Sequence, residues 1–188
     1  MRIAVLASGS GTILQAMIEA SIPIQLVVTD RQCTAETIAT HNNITLKRIE
    51  RNSYGKDFDR DTYTCEVRDA LIDHEIDLIA MAGFGTILNK PIYDDFSNRI
   101  LNTHPSLLPS FPGWHAVEEA LEYGVKVTGC TVHIATEEVD AGPILAQESI
   151  PVLKDDTKET LHERIKKVER QLYVDTLNKI CLLYTSPS

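Results

Sequence analysis

Strand-like and helix-like segments alternate through the first hundred residues, and this rhythm limits the fold more than any other feature. MRIAVLA and DLIAMAG are continuous apolar runs, the signature of strands buried on both faces. IQLVVTD and TLKRIE read as two further strands. Between them TILQAMIEA, TAETIATHN and DRDTYTCEVRDALIDHE carry helical periodicity, so a mostly parallel sheet wrapped by helices is expected. After residue 100 the rhythm changes. RILN is a short strand, GWHAVEEALEYG a helix, and KVTGCTVHIAT and PILAQESIPVL are β-rich runs flanking EEVDAG, so this C-terminal portion is expected to be mixed or antiparallel. DTKETLHERIKKVERQLYVDTLNKI is a long helix with one apolar stripe at positions 161, 165, 168 and 172, capped by Asp156 or Thr157. The fold class is α/β, with residues 1–180 expected to form a single domain. The string CLLYTSPS at 181–188 does not continue the stripe. It matches one frame of a common sequencing adapter and is expected to be a non-native tail.

Composition narrows the function. The 188 residues are 43% hydrophobic and 24% charged, ordinary for a globular domain. A net charge of −9 argues against a nucleic-acid or anionic-membrane partner, so any anionic substrate must be recognised locally. There is no long apolar run and no signal-peptide pattern, which makes the cytoplasm the expected location. Cysteines 33, 65, 130 and 181 are scattered, implying neither a disulfide framework nor a zinc site. Oligomeric state is left open.

Three places carry residues suited to chemistry. Ser8-Gly9-Ser10-Gly11-Thr12 falls between a strand and a helix, where exposed N–H groups suit a phosphate. It also approaches a dinucleotide fingerprint, with Asp30 ending the next strand, although Leu14 stands at the third glycine position; a plain tight turn is the third reading. Next comes NTHPSLLPSFPG. Asn102 and His104 lie two apart on one strand face, and the prolines at 105, 109 and 112 stiffen the loop beyond them. Such a pair suits a developing oxyanion. Third, Asp140 in VDAGPI is either a turn-former or, near His104, a carboxylate that favours imidazolium and relays protons. His133 either orients Asn102 or fills the core. His41, His74 and His162 show no ligand spacing, His115 reads as a helix start, and no serine-hydrolase elbow or metal cluster appears.

Taken together, SGSGT, NTHPSLLP and VDAGPI, in this order, resemble the folate-dependent formyltransferase family, in its glycinamide ribonucleotide branch, from residue 1 to about residue 180. The resemblance implies a Rossmann-like sheet, no metal, small-molecule substrates, and formyl transfer from 10-formyltetrahydrofolate to glycinamide ribonucleotide. It assigns catalysis to Asn102, His104 and Asp140, with His133 in support. It assigns the ribonucleotide to Gly11, Thr12, Ile13 and Glu169, and the folate to Arg60, Gly85, Thr86, Ile87, Leu88 and Asn102. Two departures stand out: Ile13 where many members have Asn, and Gly85-Thr86 where many have Met-Arg. Other branches are similar in the catalytic motif, but the tRNA-formylating one adds a C-terminal domain and the deformylating one an N-terminal domain. From another class, a nicotinamide-binding module remains open through Gly9, Gly11 and Asp30.

Overall fold

The computed structural model describes residues 1–185. Seven strands form one sheet in the order β3-β2-β1-β4-β5-β6-β7. The strands are β1 (Ile3–Ala7), β2 (Ile24–Thr29), β3 (Thr45–Arg48), β4 (Leu78–Met81), β5 (Ile100–His104), β6 (Val127–Ile134) and β7 (Ile144–Pro151). Neighbours from β3 through β5 run parallel, whereas β6 and β7 are antiparallel additions. The alternation in the sequence thus becomes a doubly wound sheet, and the change of rhythm after residue 100 becomes its antiparallel edge.

Helices cover both faces because successive residues of each strand point to opposite sides. Ile3, Val5 and Ala7 face a core shared with α1 (Thr12–Glu19), α2 (Thr34–His41) and α6 (Lys158–Thr185). Ala4 and Leu6 face a second core filled from α3 (Arg60–Asp73) and α4 (Lys90–Asp95). Val117 of α5 (Ala116–Tyr123) packs with Cys130, Ile150, Leu161 and Ile165 in a third cluster. The fully buried Tyr173 hydroxyl reaches the carbonyls of Met81 and Leu101 at 3.0 and 2.9 Å, fixing α6 against the ends of β4 and β5.

Two boundaries differ from the expectations, and the cap of α6 falls on one of the two expected residues. Helix α4 has no counterpart in the periodicity of the sequence; its six residues, with proline in the first turn, are too few to show a repeat. Thr157, not Asp156, caps α6, since its Oγ1 accepts from the Thr160 N–H at 3.3 Å. Helix α6 also runs on through Thr185, and Cys181 packs against the first core, because nothing between Ile180 and Thr185 breaks a helix. Leu182, Leu183 and Tyr184 are exposed; residues 186–188 of the expected tail lie outside the described residues.

Candidate active site

Strand order reverses at β1, so the loops after β1 and β4 diverge and open a crevice at the carboxyl ends of the parallel strands. A cleft of about 430 Å³ lies there. One wall is the glycine loop, a second is the segment after β4, a third is β5 with the Asp140 loop, and α6 closes the end.

The polar centre is set by strand register. Asn102 and His104 are both on β5, and Asn102 lies directly opposite His133 in the antiparallel pairing with β6. The Asn102 amide donates to His133 Nε2 at 3.3 Å, and His133 Nδ1 donates to the Ile134 carbonyl at 3.0 Å. Burial pushes the His133 ring below the usual histidine range, although Ile134 and Asp140 pull the other way. A neutral ring protonated at Nδ1 leaves Nε2 as the acceptor that orients Asn102, so His133 both fills the core and positions the amide. His104 Nδ1 lies 3.3 Å from the Asp140 carboxylate and Nε2 lies 2.7 Å from the Phe111 carbonyl. Both ring nitrogens therefore face acceptors, an arrangement met in full only by a ring carrying two N–H groups.

Two loops hold this pair in place. In the proline segment Thr131 Oγ1 donates to the Ser106 carbonyl and accepts from the Leu108 N–H, while Gln147 reaches the Leu108 carbonyl at 2.9 Å. Across the site the Gly113 N–H donates to Asp140 at 2.8 Å, tying the end of that segment to the carboxylate. Asp140 itself sits at φ 56°, a left-handed backbone that Asp tolerates better than most residues. Two residues on, a Cβ at Gly142 would stand 1.9 Å from the Ile134 carbonyl oxygen. Only glycine lets the Asp140 loop fold this closely onto β6.

The glycine loop presents α1 end-on. Gly11 occupies the N-cap at φ 70°, no side chain caps the helix, and a Cβ there would meet the Ala35 Cα at 2.9 Å. The first N–H groups of α1 thus face the cleft beside Thr12 and the buried Ile13, an arrangement suited to a phosphate. Asp30 is not available to a dinucleotide ribose. It is fully buried, bonded twice to Arg31 at 2.9 and 3.0 Å, and accepts from Thr86 Oγ1 at 2.8 Å. Burial alone would raise this carboxyl, but Arg31, Thr86 and Ser8 together hold it below its ordinary value. The nicotinamide reading loses its acidic residue to the fold.

Of the segment expected to bind folate, Thr86, Ile87 and Leu88 line the cleft beside Met81, Gly83 and Phe84. Gly85 and Arg60 do not. The Gly85 N–H is drawn away onto Ser8 Oγ at 2.6 Å, and Arg60 stands half-buried in the first turn of α3. From α6, Glu169 projects into the cleft region and accepts from Thr103 Oγ1 at 2.9 Å; burial pushes its carboxyl up. One helical face also brings His162 and Lys166 to the wall, at positions i, i+4 and i+7 with Glu169. Sequence reasoning misses both. Their spacing to Glu169 is the available signal, but only the packing of α6 shows that this face looks into a cleft. Trp114, although largely exposed, stands on the rim. Among the described residues there is no group of three His, Cys, Asp or Glu that would hold a metal, and no helix long and apolar enough to cross a membrane.

Comparison with known proteins adds to this geometry. Residues 1–177 match the model of the family described as formyl transferase. The chain is 44% identical over 178 residues to phosphoribosylglycinamide formyltransferase of Mycobacterium tuberculosis, covering 92% of this chain and 81% of the relative. It is 39% identical over 186 residues to the human trifunctional purine biosynthetic protein adenosine-3, covering 95% of this chain but 18% of that much longer protein. Among solved structures, glycinamide ribonucleotide transformylase 1 from Symbiobacterium toebii superposes with a TM-score of 0.87 at 40% identity, covering 94% of this chain and 85% of the other.

Proposed function

The chain belongs to the formyl transferase family, and from that premise we propose that it transfers a formyl group from 10-formyltetrahydrofolate to the primary amine of glycinamide ribonucleotide, with residues 1–180 as the transferase unit. One observation carries the reading: a half-buried amide, a buried imidazole and a buried carboxylate converge between a phosphate-suited loop and an apolar wall.

The parts have separate tasks. The α1 N-terminus with Thr12 takes the phosphate, and Glu169 takes the ribose hydroxyls. Ile87 and Leu88 offer an apolar bed for the pterin. Attack of the amine on the formyl carbon puts negative charge on the formyl oxygen. The Asn102 amide and the His104 ring meet that charge, the ring by exchanging its Nε2 contact with the Phe111 carbonyl for one with the oxyanion, each donor worth about 3–4 kcal/mol in sites of this kind. The leaving nitrogen is aniline-like and departs only once protonated. Asp140, 3.3 Å from His104 Nδ1, accepts from the ring and passes protons through water to that nitrogen.

The test is an absorbance assay with a 10-formyl donor in the presence and absence of glycinamide ribonucleotide. Ribonucleotide-dependent loss of the donor is expected. Donor loss at the same rate without ribonucleotide would turn the reading to a deformylase.

A further inference from the structure

Three loops leave the carboxyl ends of the neighbouring strands β2, β1 and β4, and hydrogen bonds fasten them to one another. Ser8, the first residue after β1, joins the glycine loop to the segment after β4. Its N–H donates to the Gly83 carbonyl at 3.1 Å, and its Oγ accepts from the Gly85 N–H at 2.6 Å. From the β4 side Thr86 Oγ1 donates to the Asp30 carboxylate at 2.8 Å; from the β2 side Arg31 bonds the same carboxylate at 2.9 and 3.0 Å. Burial pushes the Asp30 carboxyl up, yet Arg31, Thr86 and Ser8 together hold it below its ordinary value. Gly85 makes room for this cluster, because a Cβ there would stand 3.0 Å from Arg31 Nη2 and 3.4 Å from Ser8 Oγ.

The loops joined in this way are opposite walls of the cleft. Gly9, Gly11 and Thr12 line it on one side and Thr86 and Leu88 on another, whereas Ser8 and the fully buried Asp30 stand outside the lining. A buried carboxylate that loses a donor keeps its desolvation cost without the compensating bond. The cluster therefore favours the state in which every donor is in place. A ligand that holds one wall still also favours the bonds that hold the other.

We propose that Asp30 and Ser8 are positioning residues that latch the two walls together, so that the ribonucleotide and the formyl donor each tighten the binding of the other. The assignment rests on the reaction proposed above, which places one substrate on each wall. Whichever ligand binds first orders Ser8, Gly85 and Thr86, and the second then meets a wall already ordered. By thermodynamic reciprocity the factor is the same in either order.

Calorimetric titration with tetrahydrofolate, the donor without its formyl group, keeps both ligands present with no turnover. In the unsubstituted chain, saturating glycinamide ribonucleotide should tighten tetrahydrofolate roughly five- to tenfold. By NMR, the Gly85 amide should exchange with deuterium several-fold more slowly once the ribonucleotide alone is bound. Ser8→Ala and Asp30→Asn should bring the coupling factor to about one, whereas Thr86→Ser, which keeps the hydroxyl, should retain it. Thr86→Val removes the bond to Asp30 from its other end and reports on the latch even where an Asp30 variant fails to fold. Glu36→Gln is the control for lost stability. Glu36 is a second buried carboxylate, held by Thr29 and Arg48 at 2.7 Å each, and its side chain is bonded to neither wall. That variant should melt earlier and keep the coupling factor. Independent binding in the unsubstituted chain overturns the proposal, as does Gly85 exchange indifferent to the ribonucleotide. So does coupling that survives Ser8→Ala and Thr86→Val, or that is lost equally in Glu36→Gln. The transfer assay judges the reaction separately. Asp30-dependent coupling without transfer would refute the reaction and retain the latch; transfer with independent binding would do the reverse; failure of either ligand to bind would overturn both.

Discussion

In the parallel half of the sheet, β1 and β4 are buried along their whole length, and they serve the cleft through the loops at their ends. In the antiparallel half, β5 and β6 place side chains in the cleft directly, with Asn102 facing His133 across the pairing. On the proposed function, the difference comes from what each half is asked to hold. A phosphate or a flat ring is met by backbone N–H groups and apolar surface, which a loop of many sequences supplies. An oxyanion forming on one atom needs an amide and an imidazole fixed to within fractions of an ångström. Strand register, with a second hydrogen bond behind each group, gives that precision.

The largest effect should come from the antiparallel half. Asp140→Asn keeps an acceptor for the Gly113 N–H but removes the charge facing His104. Turnover should fall at least roughly a hundredfold, as for lost acid–base assistance, with both dissociation constants nearly unchanged. Steady-state rates beside Trp114 fluorescence titrations check this. Near-normal turnover would leave Asp140 as a turn residue and dissolve the contrast between the halves.

A smaller effect is expected in the parallel half, and on binding. Gly11→Ala forces a Cβ onto the backbone of Ala35 at positive φ, costing roughly 1–3 kcal/mol of stability. It should also raise KM for the ribonucleotide well above any change in KM for the donor. Gly9→Ala, where nothing lies within 4 Å of the added carbon, should melt like the unsubstituted protein. Equal changes in the two KM values for Gly11→Ala would remove the phosphate from this loop.

Glu169 sharpens the comparison through pH. Burial raises its carboxyl above the ordinary 4.5, so the folded state holds that proton more tightly than the unfolded chain. The contribution to stability is therefore full below 4.5 and lost as pH rises through the folded value. Glu169→Gln keeps an acceptor for Thr103 without the buried charge. Its melting temperature should exceed that of the unsubstituted protein by roughly 2–4 °C per kcal/mol recovered, a gap that widens from about pH 5 to about pH 8. Ribonucleotide KM should rise at the same time. A gap that narrows with pH would contradict the assigned shift.

The smallest effect is expected far from both halves. Removing residues 182–188, which include the exposed Leu182, Leu183 and Tyr184, should move the melting temperature by about one degree or less, with turnover unchanged. A larger drop would show that the end of α6 contributes to the core.

Legibility tracked length scale. Apolar runs such as IAVLA and LIAM announced buried strands because nothing else places that many branched and apolar residues together. The change of pattern after residue 100 announced the antiparallel edge. Asn102, His104 and Asp140 stood out through spacing and family resemblance, and the structure brings them to one cleft. By contrast, Asp30 kept a dinucleotide reading open and is spent on Arg31 and Thr86, while His162 showed no ligand spacing and yet lines the cleft. Each of these depends on a neighbour distant in the chain.

The sequence by itself determined what is local: strand and helix periods, the proline-stiffened segment, and the glycines that permit left-handed turns or close approach. These arise from backbone sterics and the alternation of side chains within a few residues. Only the tertiary structure decided which partners those groups meet. The β5–β6 register put His133 behind Asn102, the packing of α6 turned Lys166 toward the cleft, and the space at Gly85 admitted Arg31. Hydrogen bonds and charges act over a few ångströms of space, and chain separation carries little information about that distance until the core has closed.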